Sequence, residues 1–235
     1  MSSAPPRGRV AALVPAAGKG ERLGPGAPKA LREIAGTPML VHAVKALADS
    51  PAVDLVIVAA PTVNVEEVRA LLERQEFAAD VSVVAGGDSR SESVARALIA
   101  LPEDIDVVLV HDAARPLVPV EVVTNVVAAV RDGHNAVIPV LPVIDTIKSI
   151  TDEGEILGTV PREQLRATQT PQGFSREVLQ RAHAEVDAPV TDDAGMVESL
   201  GITVHAVDGH EEAFKVTRPL DFVLAEALVA RRRVR

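Results

Sequence analysis

The chain contains no cysteine, tryptophan or tyrosine and only four phenylalanines in 235 residues. Without cysteine there are no disulfides, no thiolate metal ligands and no cysteine nucleophile, a composition that suits a cytoplasmic protein. At 2% aromatics, nucleic-acid binding by stacking bases on side-chain rings is not expected. Basic residues are also in short supply. The 24 of them face 33 acidic ones for a formal charge of −9, and the densest group, Arg231, Arg232, Arg233 and Arg235, only closes the C-terminus. No nucleic-acid partner is expected. Long apolar runs are missing too, since nothing approaches the roughly 20 residues that cross a bilayer. Met1–Arg9 lacks the basic start, apolar stretch and cleavage site of a signal peptide. No membrane association is expected, and residues 1–9 read as a disordered tail.

What is present is aliphatic. Apolar residues make up 47% of the chain and charged residues 24%, so a core of Val, Leu, Ile and Ala within one α/β domain is expected. Val-rich runs recur at Val10–Val14, Leu55–Ala60, Val81–Val84, Val107–Val110 and Ala136–Val140. They are continuous rather than alternating, the pattern of strands buried on both faces of a parallel sheet. Helix-period segments lie between them. Thr37 caps one that Pro38 opens, Asn64 starts another, and Ser89–Leu101 and Val120–Val130 supply two more. This alternation predicts a Rossmann-like, doubly wound, mostly parallel sheet. Residues 141–170 break the rhythm. Extended segments at Pro142–Lys148 and Ile156–Val160 flank the turn Asp152-Glu153-Gly154, as in a β-arm leaving the domain body. Helices return at Arg176–Val186 and Ala194–Leu200, with short strands at Thr203–Val207 and Phe214–Val216. A last helix is capped by Thr217, with Leu220, Val223, Leu224, Ala227 and Leu228 as its apolar face.

Ligands of open α/β sheets sit beyond the carboxyl ends of the strands. The first strand runs into Pro15-Ala16-Ala17-Gly18-Lys19-Gly20-Glu21-Arg22-Leu23-Gly24, with Pro28-Lys29 close behind. Small residues and glycines let backbone amides approach an anion, and Arg22 and Lys29 complement a polyphosphate. The dinucleotide and P-loop fingerprints both fail, because position 23 is not glycine and no Gly-Lys-Ser/Thr is correctly spaced. A glycine-rich turn with solvated charges is the plain alternative. The third strand runs into Gly86-Gly87-Asp88-Ser89-Arg90-Ser91-Glu92-Ser93, where Asp88 or Ser89 caps the next helix and the Ser93 hydroxyl can read a base edge or a phosphate. The fourth ends in His111-Asp112-Ala113-Ala114-Arg115-Pro116. Asp112 is placed to hold Mg²⁺, which needs only one or two carboxylates when phosphates complete its shell. A local Asp112–Arg115 ion pair is the alternative. His111 reads as a supporting residue, and the scattered histidines argue against a zinc site.

Together with Lys215-Val216-Thr217-Arg218-Pro219, these strings resemble the 2-C-methyl-D-erythritol 4-phosphate cytidylyltransferase family, from about Val10 to the final helix. The resemblance implies a nucleotidyltransferase domain spanning residues 1–235, with 141–170 as a dimerisation arm. It implies attack of a polyol phosphate on the α-phosphorus of CTP, with Mg²⁺ and release of pyrophosphate. Arg22, Lys29 and Lys215 match the catalytic cations, and Asp112 the metal-associated aspartate. Nucleotide contacts carry over to Pro15, Ala16, Ala17, Gly18, Gly20, Gly87, Asp88, Ser93 and Ala113. Acceptor contacts carry over to Arg115, Asp145, Thr146, Arg162, Thr170, Thr191 and Lys215, with Asp145, Thr146 and Arg162 on the arm and able to serve a neighbouring subunit. Glu21, Ala30 and Gly195 depart from the family's usual residues without touching the central cations. Two alternatives stay open: a related cytidylyltransferase for another polyol phosphate such as ribitol 5-phosphate, and a non-catalytic nucleotide sensor.

Overall fold

The computed structural model describes residues 8–18, 28–186 and 191–233. Strand β1 (Arg9–Pro15) is followed by a small hairpin of β2 (Glu33–Ile34) and β3 (Thr37–Pro38), then by helix α1 (Met39–Ala48). The hairpin turns on Ala35 and Gly36, both at positive φ (52° and 80°), the conformation of a tight two-residue turn. Thr37 is therefore in a strand, and α1 starts after Pro38 with no side-chain cap. The alternation then continues through β4 (Leu55–Ala60), α2 (Val65–Glu73), β5 (Asp80–Ala85), α3 (Arg90–Ile99), β6 (Ile105–Val110), α4 (Val120–Arg131) and β7 (Ala136–Pro142). The first seven residues of the expected tail lie outside the described residues. Arg9, placed in that tail, opens β1 and bonds Asp80 and Asp104 at 3.3 and 3.5 Å.

β1, β4, β5 and β6 pair in parallel, with β1 at the centre between β4 and β6. Each strand presents alternate residues to two separate cores. Val10, Ala12 and Val14 of β1 join α1, α2 and α4 on one face, while Ala11 and Leu13 join α3 on the other. Double burial explains the continuous apolar runs. β5 is the exception: it pairs only with β4, and its side chains are half-buried or exposed. The sheet is extended beyond β6 by β11 (Gln172–Ser175), which the sequence pattern did not announce and which pairs antiparallel with both β6 and β7. β7 also takes β10 (Arg166–Thr168) antiparallel and β12 (His205–Asp208) in parallel.

The arm is shorter than its expected range. Leu141 and Pro142 still belong to β7, and Arg166–Thr168 pair back onto it. What projects is the hairpin of β8 (Ile147–Ile150) and β9 (Ile156–Val160). Helix α5 (Arg176–Glu185) and α6 (Asp193–Ser199) complete the α3 face of the sheet. Phe214–Val216 is not a strand. In the last helix, α7 (Pro219–Arg233), the first-turn carboxylate of Asp221 accepts from the Thr217 and Arg218 amides at 2.7 Å each and from the Thr217 hydroxyl at 3.0 Å, so the Thr217 side chain donates to Asp221 rather than capping the helix. Its packed residues are Ala225 and Val229, joined by Phe222 and Leu228 against Ile34, Met39, Leu117 and Val216. Leu220, Val223 and Leu224 of the expected apolar face are 76, 62 and 50% exposed. No helix of the described residues is long and apolar enough to cross a membrane.

Candidate active site

The parallel register brings the loops after β1, β5 and β6 to one end of the sheet. Gly86 donates to the Ala60 carbonyl at 2.7 Å, Ala16 to Ala59 at 2.9 Å and His111 to Leu13 at 2.9 Å, so each chain leaves its strand still tied to its neighbour. A Cβ at Gly86 would lie 2.9 Å from both the Ala17 Cβ and the Ser93 Oγ. Only glycine lets the first and third loops close up this far. Ser89 caps α3, accepting from the Glu92 amide at 3.0 Å, so the capping role falls to Ser89 rather than Asp88. The buried Ser93 hydroxyl accepts from the Gly87 amide at 3.0 Å and donates to the Ser89 carbonyl at 2.8 Å. Its work is to shape this loop. Glu92 reaches back to the Asp88 amide at 2.8 Å, and Arg96 holds the Gly86 carbonyl at 2.6 Å. Pro15, Ala16, Ala17 and Gly18 lead out of β1, Ala16 buried, Pro15 and Ala17 half-buried and Gly18 exposed, whereas Gly20 and Arg22 lie outside the described residues. Lys29 opens a short 3-10 turn packed against α1.

The centre of the arrangement is Asp112, just past β6. Its Oδ1 accepts from Arg90 Nε at 3.1 Å, and its Oδ2 meets Lys215 Nζ at 2.7 Å. Burial alone would push this carboxyl up. Arg90 and then Lys215 outweigh it and hold the group well below the usual carboxylate range. The alternative to a metal role, an Asp112–Arg115 ion pair, does not form. Arg115 instead donates to the carbonyls of Ala213 at 2.7 Å and Thr168 at 3.1 Å, and its Nε is buried without a hydrogen-bond partner among the described residues. Val216 donates to the Ala114 carbonyl at 2.8 Å. These links staple residues 213–216 beside the Asp112 loop and deliver Lys215 from the far end of the chain.

Behind Asp112 is a buried polar relay. His111 Nε2 lies 3.0 Å from the Arg115 carbonyl, which can only accept, so Nε2 carries the proton. Nδ1 then accepts from Thr170 Oγ1 at 3.1 Å, and that oxygen accepts from the Asp112 amide at 3.0 Å. Burial lowers His111 to about 4, partly offset by its bond to the Arg115 carbonyl. His111 is thus the supporting residue expected of it. Thr170, matched to the acceptor, has its buried hydroxyl spent on His111 and Asp112.

Two residues that sequence reasoning missed complete the cluster. Arg90 reaches past Asp112 to Asp193, Nη1 to Oδ2 at 2.6 Å, and the other oxygen of Asp193 meets His183 Nε2 at 3.0 Å. Asp193 opens α6, two residues after Thr191. Burial pushes its carboxyl up, but the His183 hydrogen bond and Arg90 bring it below its ordinary value. Between Thr191 and Asp193, Asp192 caps α6 at the Gly195 amide (3.0 Å) and accepts from Gln172 Nε2 at 2.7 Å. One signal for Arg90 was available. A cation in the first turn of a helix opposes the helix dipole, and such a residue needs a carboxylate elsewhere.

Asp145 and Thr146 stand exposed in the bend before β8, not on an extended strand. Arg162 donates to the Ile144 carbonyl. Both segments therefore belong to the arm, and this hydrogen bond of Arg162 stays within it.

A family model described as IspD, 2-C-methyl-D-erythritol 4-phosphate cytidylyltransferase, matches residues 10–231. The chain belongs to this family. It is similar to the 2-C-methyl-D-erythritol 4-phosphate cytidylyltransferase of Streptomyces avermitilis, with 58% identity over 98% of this chain and 95% of that one. It is 53% identical to the protein of the same name from Rhodococcus jostii, over 95% and 96%. The crystal structure of 2-C-methyl-D-erythritol 4-phosphate cytidylyltransferase from Thermus thermophilus superimposes with a TM-score of 0.77 at 37% identity, covering 94% of this chain and 99% of that one. The 4-diphosphocytidyl-2C-methyl-D-erythritol synthase of Anaerococcus prevotii gives 0.82 at 25% identity, over 95% and 96%. Membership in the cytidylyltransferase family gives the Asp112 cluster a chemical context. Among the described residues no three His, Cys, Asp or Glu side chains gather as a metal cage. A single carboxylate, Asp112, would suffice for a cation such as Mg²⁺ whose remaining ligands came from phosphates and water.

Proposed function

We propose that the protein joins CTP to 2-C-methyl-D-erythritol 4-phosphate, giving 4-diphosphocytidyl-2-C-methyl-D-erythritol and pyrophosphate. The observation that carries this reading is the cation-clamped Asp112 at the carboxyl end of the sheet, in a chain matched to the family over nearly its whole length. An oxygen of the acceptor phosphate attacks the α-phosphorus of CTP. The new P–O bond forms as the bond from the α-phosphorus to the β-phosphate oxygen breaks, and pyrophosphate leaves. A phosphate monoester is largely dianionic at pH 7, since its second pKa is about 6. No general base is required, which agrees with the neutral, buried His111. The obstacle is repulsion between a dianion and a triphosphate, so catalysis rests on fixed positive charge.

Arg22, Lys29 and Lys215 are the cations of the reaction in this reading. An ammonium has three donors, and Lys215 gives one to Asp112, so it can hold the carboxylate while facing a phosphate. Mg²⁺, when bound, would neutralise the triphosphate, with Asp112 as its protein ligand. Cytidine would rest on Pro15, Ala16, Ala17, Gly18, Gly20, Gly87, Asp88 and Ala113, where backbone groups rather than aromatic rings do the reading, and Ser93 acts by holding Gly87. The acceptor would meet Arg115, Thr191 and Lys215 from one subunit and Asp145, Thr146 and Arg162 from the arm, with Thr170 supporting Asp112 from behind. The arm exposes Ile144, Ile150, Ile156 and Leu157. A second copy of the chain would cover them, which supports a homodimer built through the hairpin. The test is CTP-dependent pyrophosphate release with a panel of polyol phosphates. Release with 2-C-methyl-D-erythritol 4-phosphate far above that with ribitol 5-phosphate is expected, and the reverse order would reassign the acceptor. Binding of CTP without turnover on any acceptor would favour a nucleotide sensor.

A further inference from the structure

Building on the proposed reaction, we infer that Arg90 is a positioning residue that fixes the acceptor-side start of α6 relative to Asp112. Arg90 is the first residue of α3, immediately after the Ser89 cap, and leaves its own helix to bridge two carboxylates. Asp112 is 22 residues away in sequence and Asp193 is 103. Nε serves one and Nη1 the other, at 3.1 and 2.6 Å, a span that the rigid fork of a guanidinium provides and a lysine point charge does not. Asp193 is 1% exposed, and its second oxygen is taken by His183 from α5. Asp192 is held separately by Gln172 of β11, whose Oε1 also accepts from the Ala194 amide at 3.1 Å. The start of α6 is thus anchored twice, to the sheet through Gln172 and to Asp112 through Arg90. Thr191, the residue just before these anchors, is exposed. Its position relative to Asp112 therefore depends on the Arg90 bridge.

A purely structural Arg90 would only neutralise a buried carboxylate. Pairs of that kind contribute little net stability and can often be replaced by apolar groups. A bridge between the Asp112 side and the acceptor side predicts something else, which is coupling. Arg90→Lys keeps the charge but loses the fork. Asp193→Asn keeps the shape but presents an amide that cannot accept from both Arg90 and His183. Each folded variant is expected to raise KM for 2-C-methyl-D-erythritol 4-phosphate about fivefold or more and to leave KM for CTP within about twofold. Because both changes break one bridge, the double variant is expected to show no more than the larger single effect, rather than the product of the two. Arg90→Lys alone should also lower kcat about tenfold, since Asp112 loses the donor on Oδ1. An unchanged acceptor KM with only a lowered Tm would overturn the inference, as would multiplicative effects in the double variant. If Arg90→Lys does not fold, Asp193→Asn decides alone by the same acceptor KM. Failure of the wild type to release pyrophosphate with this acceptor would overturn the reaction itself, and that control is read before any variant.

Discussion

Replacing Asp112 with Asn keeps the shape at the end of β6 but leaves Arg90 and Lys215 facing a neutral amide. A fall in kcat of about a hundredfold is expected, the scale seen when a preorganised charge is removed from a polar transition state. The Mg²⁺ concentration for half-maximal rate should rise as well. A Mg²⁺ titration that superimposes on the wild type would remove Asp112 from the metal site. His111 makes a prediction about pH. Its ordinary value is 6.5, and burial holds it at about 4 in the folded protein. The unfolded chain therefore binds the extra proton between these values. Stability from the neutral ring is present above pH 6.5 and is lost as pH falls towards 4. Urea unfolding at pH 7 and pH 4.5 should differ by about 2 kcal/mol from this group alone. In His111→Gln, less stable at pH 7, that slope should flatten. Asp193 acts at lower pH: its depressed pKa gives stability present above the unfolded carboxylate value of about 3.9 and lost below it. The two roles assigned to Thr170 can be separated in the same way. Thr170→Val should cost stability and weaken Asp112 indirectly, whereas a direct acceptor contact would raise acceptor KM with no change in the unfolding midpoint.

Among the elements, the arm and α7 carry most of the large exposed apolar side chains of the described residues, Val63 and Ile99 lying elsewhere. Ile150, Ile156 and Leu157 of the hairpin are 58, 61 and 68% exposed. If a second copy covers them, the double substitution Ile156→Glu/Leu157→Glu should convert a dimer into a monomer in sedimentation velocity while the monomer's unfolding midpoint barely moves. A wild type that already sediments as a monomer would contradict the dimer. The elements also show how far sequence reached. The parallel strands other than β5 were legible because burial on both faces forces Val-rich runs, and Leu55–Ala60 matches β4 residue for residue. α7 was misread in rotation. Its largest apolar residues, Leu220, Val223 and Leu224, suggested the buried face, but packing against Ile34 and Met39 selects the Phe222–Ala225–Val229 stripe. Phe222, Ala225, Leu228 and Val229 make the contact, while Leu220, Val223 and Leu224 stay outside. β11 and the Ala35–Gly36 turn lacked signals, because Gln172–Ser175 is short and polar at its start and Ala35 is an unusual residue at positive φ. In the site, the loops and Asp112 were legible from their strings. Arg90 and Asp193, 103 residues apart, were not, since the partner of a buried charge appears only once the chain is folded.

At the scale of the whole molecule, we propose a composite site in which Arg162 of one subunit would serve the other. Mixing inactive Lys29→Ala with inactive Arg162→Ala and allowing subunits to exchange should restore activity. One site in each mixed dimer then carries neither defect, so random mixing gives about a quarter of the wild-type rate. No recovery after proven exchange would place Arg162 at its own subunit's site. All of this rests on one chemical event, the attack of an acceptor phosphate oxygen on the α-phosphorus of CTP. The most direct test is a single turnover with CTP and 2-C-methyl-D-erythritol 4-phosphate whose phosphate oxygens are labelled with ¹⁸O, followed by mass analysis of both products. The label is predicted to stay entirely in 4-diphosphocytidyl-2-C-methyl-D-erythritol, leaving pyrophosphate unlabelled. Label in pyrophosphate, or no diphosphocytidyl product from the folded wild-type protein, would contradict it.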